Sequence, residues 1–275
     1  MRYEDRLVRV LNHIHDNPNG DLSLDTLADV AAMSRFHWHR VFHAMTGETC
    51  AQAVRRMRLH RAAGRLVREE LPVDQIARDC GYPNPRSFAQ AFRASYGMSP
   101  VEFRRSGHFC APALLQQKGI ITMYPIEIRT FPARTLIGLR HKGAYMEIGS
   151  TFEKSGAMIA ARGLWPKCGQ VYGVYFDDPA AVPEADLRSF AGAEWTAGEI
   201  PEGFESVELP AGQAAVLTFK GPYATIKSGY DALYGEWLPR SGETPADSPC
   251  FEIYLNDPRE TAPENLLTEL CLPLA

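Results

Sequence analysis

The sequence predicts a multidomain protein: an all-α domain that contains two copies of a helix-turn-helix unit, followed by an α+β domain. Two internal repeats predict this organisation. In the first half, residues 22–28 (LSLDTLA) return as residues 71–77 (LPVDQIA); in the second half, residues 172–179 (YGVYFDDP) return as residues 251–258 (FEIYLNDP). Each half of the chain is therefore expected to hold one structural unit in two copies.

Each copy in the first half has the pattern of a short helix, a turn and a second helix. In the first copy, residues 25–32 form the supporting helix, Ser34 is placed to cap the second helix, and Gly47 ends it. The apolar stripe of this second helix has the spacing i, i+3, i+4, i+7 and consists of Trp38, Val41, Phe42 and Met45. The stripe returns in the second copy as Phe88, Ala91 and Phe92. Residues 51–68 lack proline and are expected to join the copies as one continuous helix.

The faces opposite the two stripes carry side chains that suit a DNA major groove. The first helix offers Phe36, His37, His39 and Arg40. The second helix offers Arg86, Ser87, Gln90 and Arg93. Arg40 is able to pair with guanine, Gln90 with adenine, and Phe36 is able to touch a thymine methyl group. The alternative is that these side chains are ordinary exposed residues.

Charge is distributed unevenly along the chain. Residues 1–118 hold 17 Lys+Arg and 12 Asp+Glu, a net charge of +5, whereas residues 119–275 hold 12 and 21, a net charge of −9. All but one of the cations in the first half are arginine, and they concentrate at positions 55, 56, 58, 61, 65 and 68. Because guanidinium groups pair bidentately with phosphate oxygens, these arginines are expected to contact DNA phosphates. The alternative is a solvated helix face.

The sequence gives no support to several other classes of function. The six cysteines are scattered, which favours buried free thiols over a metal clip or a disulfide framework. His39 and His43 are spaced to share a metal, but no cysteine or carboxylate lies near them on that face, so neither a metal nor a cofactor is expected. The N-terminus is charged, and no apolar run approaches the roughly 20 residues of a membrane span. A cytoplasmic protein is therefore expected.

Residues 5–105 resemble the double helix-turn-helix domain of the AraC/XylS family of bacterial transcription regulators. The motifs that carry the resemblance are residues 76–82 (IARDCGY) and residues 87–104 (SFAQAFRASYGMSPVEFR). The resemblance implies that bases are read by Phe36, His39 and Arg40 in the first helix and by Pro85, Arg86, Ser87 and Gln90 in the second. Pro85 has no side-chain donor, and Gln90 stands where the family often has arginine. The first helix is therefore expected to carry more of the sequence discrimination.

This first domain is assigned to residues 1–107, with a linker at residues 108–123 and a second domain at residues 124–275. The second domain repeats the motif of residues 142–145 (KGAY) at residues 220–223 (KGPY). An amphipathic segment follows each copy, at residues 148–162 and 226–238. Each half therefore has the pattern strand, helix, strand, strand, and the two halves are expected to pair about a pseudo-twofold axis.

Strand alternation in the second domain points to Glu252 as a candidate ligand-binding residue. Phe251 and Ile253 face one side of their strand, whereas Glu252 and Tyr254 face the other. The residue equivalent to Glu252 in the earlier copy is Gly173, so one copy supplies a carboxylate and the other supplies space. A carboxylate partly withdrawn from water beside tyrosine rings favours a lipophilic cation. The alternative is a carboxylate that is exposed or paired with a neighbouring lysine or arginine.

Residues 125–274 resemble the GyrI-like small-molecule-binding domain. The strongest motifs are residues 221–223 (GPY), 230–242 (YDALYGEWLPRSG), 251–258 (FEIYLNDP) and 268–273 (TELCLP). The resemblance implies binding of amphipathic organic cations or other small lipophilic compounds, with Glu252 as the pocket acid. It makes Tyr145, Tyr175, Trp237 and Tyr254 candidates for the aromatic walls. Trp237 fits a plain core position equally well, because it follows Leu233 at helical spacing.

Together the two domains predict a bacterial regulator that binds double-stranded promoter DNA and a small hydrophobic or cationic ligand, with RNA polymerase as a further partner and no membrane. Two alternatives stay open. The first is a hydrolase that uses Glu252 with Tyr145 or Tyr254, or a protein that sequesters toxic small molecules; no nucleophile–base arrangement is legible from the spacing, so an enzyme is not expected. The second is a module that binds a protein such as gyrase through its acidic half.

Overall fold

The structure is a computed structural model that describes residues 3–106 and 124–275. Contacts group these residues into two compact units. We call residues 3–32 and 46–106 the helical unit, and residues 33–45 and 124–275 the sheet unit. Residues 33–45, which the sequence places in the first domain, thus group with the strands of the second. The predicted linker, residues 108–123, lies outside the described residues.

Seven α-helices lie within residues 3–106, and all but α3 belong to the helical unit. They are α1 (Tyr3–Asp16), α2 (Leu24–Ala31), α3 (Trp38–Thr46), α4 (Cys50–Arg68), α5 (Val73–Asp79), α6 (Pro85–Tyr96) and α7 (Pro100–Ser106). The predicted two copies of a helix pair are therefore confirmed as α2 with α3 and α5 with α6.

The helix α4 confirms the expected continuous helix between the two copies. A capping box starts it: the Thr49 side chain accepts a hydrogen bond from the Gln52 amide at 3.1 Å, and the Gln52 side chain accepts one from the Thr49 amide at 2.7 Å. These bonds satisfy two backbone N–H groups that have no partner within the helix. The side chains that α4 buries are small or aliphatic, and they include Leu59, Ala62 and Leu66.

The apolar stripe of α6 forms much of the core of the helical unit. Phe88, Ala91 and Phe92 are buried as predicted, and the Phe92 ring stacks on Tyr96 with their centroids 4.5 Å apart. Phe103 of α7 meets Phe92 edge-on, with the ring centroids 5.2 Å apart. Because this stripe faces inward, the opposite side of α6 is left at the surface.

The sheet unit contains one eight-stranded antiparallel sheet built by residues 126–274. Its strands are β1 (Ile126–Phe131), β2 (Arg134–Lys142), β3 (Cys168–Tyr175), β4 (Arg188–Trp195), β5 (Glu205–Leu209), β6 (Gly212–Lys220), β7 (Cys250–Tyr254) and β8 (Leu267–Leu274). The spatial order is β1-β6-β8-β7-β3-β4-β2-β5. The helical segments between strands are α8 (Gly149–Ala161), α9 (Lys227–Asp231), a π-helical stretch (Ala232–Trp237) and α10 (Leu238–Ser241).

The strand order confirms the predicted pseudo-twofold arrangement. Strands β2, β3 and β4 with α8 correspond to β6, β7 and β8 with α9 and α10, and the equivalents lie symmetrically about the central β3–β7 pair. In that pair, Gly173 lies directly opposite Glu252, its own equivalent in the repeat. The pseudo-twofold axis therefore passes between these two residues. Each half also contains a leading strand, β1 or β5, that the sequence analysis did not predict.

The sheet is curled about one of its faces. A single cluster of buried side chains on this face draws members from all eight strands, including Phe131 of β1 and Leu209 of β5, which lie at opposite edges of the sheet. Because edge residues meet in one cluster, the outer strands bend toward each other. The other face of the sheet carries α8 and contains the side chain of Glu252.

The β2–β4 pair requires glycine at two facing positions. Gly138 lies opposite Gly192, and a Cβ atom on Gly192 would lie 2.1 Å from the carbonyl oxygen of Ile137. We expect Gly192→Ala to lower the free energy of unfolding by about 1–3 kcal/mol, because the backbone must move to admit the methyl group. Urea unfolding is the measurement. Gly198→Ala is the matched control, since a Cβ atom there meets nothing within 4 Å; an equal effect in both variants would contradict the steric argument.

Candidate functional site

The carboxylate of Glu252 lies at the centre of the helix-covered face of the sheet. The residue is 3% exposed, and tyrosine hydroxyl groups surround its two oxygens. Tyr230 donates to Oε1 at 2.8 Å, and Tyr254 donates to Oε2 at 2.7 Å. The Tyr175 hydroxyl lies 3.2 Å from Oε2 and 2.9 Å from the Tyr254 hydroxyl. Glu252 is thus a buried acid whose hydrogen-bonding partners are phenols.

The electrostatics of this group follow from its burial. Removal from water raises the pKa of Glu252 above its ordinary value, and the hydroxyl donors of Tyr254, Tyr230 and Tyr175 act in the opposite direction. The burial that raises the pKa of Glu252 also means that a cation beside the carboxylate is poorly screened. The arrangement suits electrostatic binding of a cation.

The aromatic rings around Glu252 follow the pseudo-twofold symmetry. Tyr145 meets Tyr175 edge-on with centroids 4.9 Å apart, and its equivalent Tyr223 meets Tyr254 edge-on at 5.6 Å. Phe152 of α8 also contacts Tyr254 edge-on, at 5.1 Å. The structure therefore brings together the predicted residues Tyr145, Tyr175, Tyr254 and Glu252.

Two tyrosines of the cluster, Tyr223 and Tyr230, were missed by the sequence analysis, as was Phe152. The repeat contained the signal for both: Tyr223 is the counterpart of Tyr145, and Tyr230 is the counterpart of Phe152, each 78 residues later in the chain. The hydroxyl of Tyr145 has a different partner from the other tyrosines and donates to the carbonyl oxygen of Asp177 at 2.9 Å. Tyr145 therefore contributes its ring to the site, whereas Tyr230 contributes a hydroxyl donor.

The space left by Gly173 is occupied by the tyrosines of the site. A Cβ atom at Gly173 would lie 3.1 Å from the Tyr175 ring and 3.1 Å from the Tyr254 hydroxyl. The absence of a side chain on β3 thus lets two phenols approach the carboxylate on β7.

Trp237 stays a prediction that the geometry does not support. It is half-buried, and among the described residues no ring contact or hydrogen bond joins it to the cluster around Glu252. The reason is the π-helical stretch that contains it, because i→i+5 bonding changes the face on which later residues lie. The rings of Tyr230 and Tyr234 are stacked with their centroids 6.4 Å apart, and the ring of Trp237 is not stacked on either of them.

The expectation that the groove-facing side of the first predicted helix is free does not hold for three predicted DNA contacts: His37, just before α3, and His39 and Arg40 within it. His37 is fully buried and His39 is 9% exposed. Nδ1 of His37 lies 2.8 Å from the Tyr234 hydroxyl, and Nε2 lies 2.9 Å from the carbonyl oxygen of Ser248. Arg40 is half-buried against the same tyrosine. Side chains far along the chain cover this face, which local helix periodicity does not reveal.

Phe36 and His37 precede α3 in a turn, so the helix starts later than Ser34 suggested. The Ser34 hydroxyl accepts a hydrogen bond from the Phe36 amide at 3.2 Å and donates to the Asp247 carboxylate at 2.8 Å. Phe36 itself is half-buried under the guanidinium of Arg35, which lies 5.1 Å from its ring centroid. Base contact by Phe36, His37, His39 and Arg40 remains a prediction.

The second copy presents its predicted residues at the surface. Asn84 caps α6 by accepting a hydrogen bond from the Arg86 amide at 2.8 Å, and Pro85 occupies the first helical turn, where no N–H partner is needed. The predicted base-contacting residues Arg86, Ser87, Gln90 and Arg93 are all exposed. This face of α6 is available to DNA as the structure stands.

The arginines of α4 are mostly engaged within the helical unit. Arg56 pairs with Glu48, and Arg65 pairs with Glu69 and Asp79. Others bond backbone carbonyl groups: Arg58 with Pro18 and Arg61 with His15. Their expected role in phosphate contact therefore competes with contacts that stabilise the fold; Arg55 is exposed.

Within residues 3–106 and 124–275, no group of three or more His, Cys, Asp or Glu side chains is placed to hold a metal ion. In the same part of the chain, no helix combines the length and the apolar character that crossing a membrane requires. The five cysteines among these described residues form no disulfide bonds, and Cys50, Cys80, Cys250 and Cys271 are buried.

Comparison with known proteins gives the two halves their family context. A helix-turn-helix domain matches residues 27–106, and a GyrI-like small molecule binding domain matches residues 124–275. This combination defines a class, that of proteins which join a helix-turn-helix domain to a small molecule binding domain. The chain belongs to the GyrI-like family, and its helix-turn-helix domain is of the AraC type.

The relatives of this chain fall into two groups: proteins named as transcription regulators or regulatory proteins, and a DNA gyrase inhibitor. The chain is 33% identical over 98 residues to the probable transcriptional regulator LumQ of Photobacterium leiognathi, a match that covers 36% of this chain and 40% of LumQ. It is 31% identical over 101 residues to the regulatory protein SoxS of Escherichia coli K12, covering 37% of this chain and 91% of SoxS. It is 35% identical over 112 residues to a DNA gyrase inhibitor of Erwinia billingiae, covering 39% of this chain and 70% of that protein. The chain thus spans about two fifths of the length of LumQ.

Proposed function

We propose that this protein regulates transcription in the cytoplasm, binding promoter DNA through its helix-turn-helix domain and a small lipophilic cation at Glu252, with RNA polymerase as its partner at the promoter. The observation that carries the ligand assignment is the buried carboxylate of Glu252 amid the rings of Tyr175, Tyr230 and Tyr254. The observation that supports DNA binding is the exposed polar face of α6.

The chemistry of the site favours a cation over a neutral ligand for two reasons. A carboxylate withdrawn from water attracts a positive charge more strongly than an exposed one does, because little solvent screens the pair. Aromatic rings add attraction through the negative charge of their faces, which is worth about 2 kcal/mol or more when the cation is desolvated. The lipophilic part of the ligand gains further free energy by contact with ring surfaces.

The DNA assignment predicts a measurable loss at Gln90. We expect Gln90→Ala to weaken binding to a specific DNA site by about 1–3 kcal/mol, because its amide pairs with an adenine edge. The DNA probe is a site selected by the wild-type protein from a random-sequence pool, and the measurement is a gel-shift titration at fixed salt. Ser95→Ala is the matched control, since Ser95 is exposed on the same helix outside the predicted contact set.

The same titration separates sequence-specific DNA binding from general electrostatic attraction to DNA. Affinity for an unrelated duplex is expected to be the same in the wild type and in Gln90→Ala, since the amide carries no charge. Unchanged affinity of Gln90→Ala for the selected site, or an equal loss in Ser95→Ala, would count against base contact by α6.

A thermal-shift screen tests the ligand assignment. A ligand that binds only the folded state raises the unfolding temperature, so tetraphenylphosphonium is expected to stabilise the protein more than the neutral triphenylphosphine oxide at equal concentration. Equal shifts of the unfolding temperature with the two compounds would contradict the proposal that the site selects a positive charge.

A further inference from the structure

A positively charged side chain of the sheet unit, that of Arg40, packs against tyrosine rings of the aromatic cluster around Glu252. The guanidinium carbon of Arg40 lies 5.3 Å from the ring centroid of Tyr230 and 5.5 Å from that of Tyr234. Its Nη1 donates to the Tyr234 hydroxyl at 3.3 Å, and its Nη2 donates to the carbonyl oxygen of Asp177 at 3.0 Å. Arg40 is thus held by two rings and by two acceptors.

These contacts belong to the same set of groups that surrounds Glu252. Tyr230 lies beneath the guanidinium and donates its hydroxyl to Glu252 at 2.8 Å. The carbonyl oxygen of Asp177, which accepts from Arg40, also accepts from Tyr145 at 2.9 Å. Arg40 therefore occupies one side of the candidate ligand site.

A ligand reaches the 3% exposed Glu252 only when a covering group moves. Tyr175 and Tyr254 lie on paired strands at the centre of the sheet, so their backbones are fixed by hydrogen bonds. Arg40 lies on α3, and its side chain is held by hydrogen bonds to the Tyr234 hydroxyl and to the carbonyl oxygen of Asp177. The Arg40 side chain is therefore a covering group that can move without breaking the sheet.

From these contacts we infer that the site is built for a planar guanidinium- or amidinium-type cation, and that such a ligand takes the place of Arg40 on Tyr230 and Tyr234. The inference deepens the proposed function and rests on it. A flat delocalised cation stacks on rings and directs its N–H groups in its own plane toward acceptors, as Arg40 does toward Asp177. A tetrahedral ammonium group has the same charge but lacks this fork of donors.

Displacement of Arg40 connects the ligand site to DNA recognition. Arg40 and His37 are predicted DNA contacts, and in the described arrangement both are engaged by the sheet unit. A ligand that replaces Arg40 frees side chains of the first helix for the major groove. Because coupling between two binding sites is reciprocal, ligand and DNA are then expected to raise each other's affinity.

The test is a calorimetric titration of the full chain with three phenyl compounds of similar size: the planar cation phenylguanidine, the tetrahedral cation phenyltrimethylammonium and the neutral phenylurea. The wild type is expected to prefer phenylguanidine. In Arg40→Ala, its affinity is expected to rise about tenfold, because the internal competitor is gone and the site is open in a larger fraction of molecules. Arg35→Ala is the matched control; Arg35 is exposed and lies over Phe36.

Each outcome separates the inference from the proposed function. If phenyltrimethylammonium binds the wild type as well as phenylguanidine, or if Arg40→Ala gains no more than Arg35→Ala, the inference is overturned while cation sensing stands. If neither cation binds any variant better than phenylurea does, the proposed function itself fails. If Arg40→Ala does not fold, Arg40→Gln replaces it, because glutamine keeps a hydrogen-bond donor but removes the charge. The same gain in affinity for phenylguanidine is expected.

A second readout uses the unaltered protein. Saturating phenylguanidine is expected to raise the affinity of the wild type for its selected DNA site several-fold, and saturating phenylurea is expected to leave it unchanged. An unchanged or lowered DNA affinity with bound phenylguanidine would show that the ligand does not release α3.

Discussion

Replacing Glu252 with glutamine is expected to lower the affinity for a lipophilic cation by about 2 kcal/mol, roughly 30-fold, because the buried charge that pairs with the cation is lost. The substitution keeps the shape of the side chain. A neutral ligand of the same shape is expected to lose little, since it makes no charge pair. Calorimetry with tetraphenylphosphonium and triphenylphosphine oxide measures both effects.

The matched control for this variant is Glu199→Gln, which removes the same charge from an exposed position of the sheet unit. Its effect on cation affinity is expected to be small, because exposed charges are screened by water and salt. Equal losses for the charged and the neutral ligand in Glu252→Gln would mean that the variant disturbs the shape of the site, and the argument from charge would then fail.

Acidification is expected to destabilise the protein through His37. The Ser248 carbonyl only accepts hydrogen bonds, so Nε2 of His37 carries the proton and Nδ1 accepts from Tyr234. Burial, together with the nearby Arg40 guanidinium, lowers the pKa of His37 from its ordinary value of 6.5 to about 3. The folded protein therefore keeps this imidazole neutral at pH values where the unfolded chain protonates it.

The sign of the effect follows from this difference. The contribution of His37 to stability is fully present above about pH 6.5 and is lost as the pH falls toward 3, with a slope of up to about 1.4 kcal/mol per pH unit. Urea unfolding at pH 7, 6 and 5 measures this slope, and His37→Gln removes the contribution while other titrating groups remain. Parallel pH profiles for the wild type and His37→Gln would contradict the assignment.

Much of the fold was predictable because the chain repeats itself. The offset of 79 residues between the two halves of the second domain predicted that Glu252 and Gly173 are equivalent, and the register places them opposite each other. The strands β1 and β5 were missed because they are short and lie at the two edges of the sheet, where few of their side chains are buried. Both runs alternate apolar and polar residues, as IEIR in β1 and SVEL in β5, but they lie outside the repeated motifs from which the strands were predicted.

The contacts of Arg40 and His37 were not predictable from local pattern. An amphipathic helix shows which side is apolar, and the opposite side is then taken to be free. Here a polar side is covered by Tyr234 and Ser248, about 200 residues later in the chain. Histidine and arginine can be buried here because the Tyr234 hydroxyl and the carbonyl oxygens of Ser248 and Asp177 bond to them. These partners lie far along the chain, so the local sequence around α3 does not reveal the burial.

The position of the pseudo-twofold axis limits how much negative charge the ligand site contains. Because Gly173 and Glu252 face each other across that axis, a perfectly symmetric domain would bring two carboxylates together in a dry interior, where they could not both ionise. Glycine at position 173 avoids this pairing of two buried carboxylates. This strand pair therefore contributes a single carboxylate, that of Glu252, which under the proposed function pairs with a ligand of one positive charge.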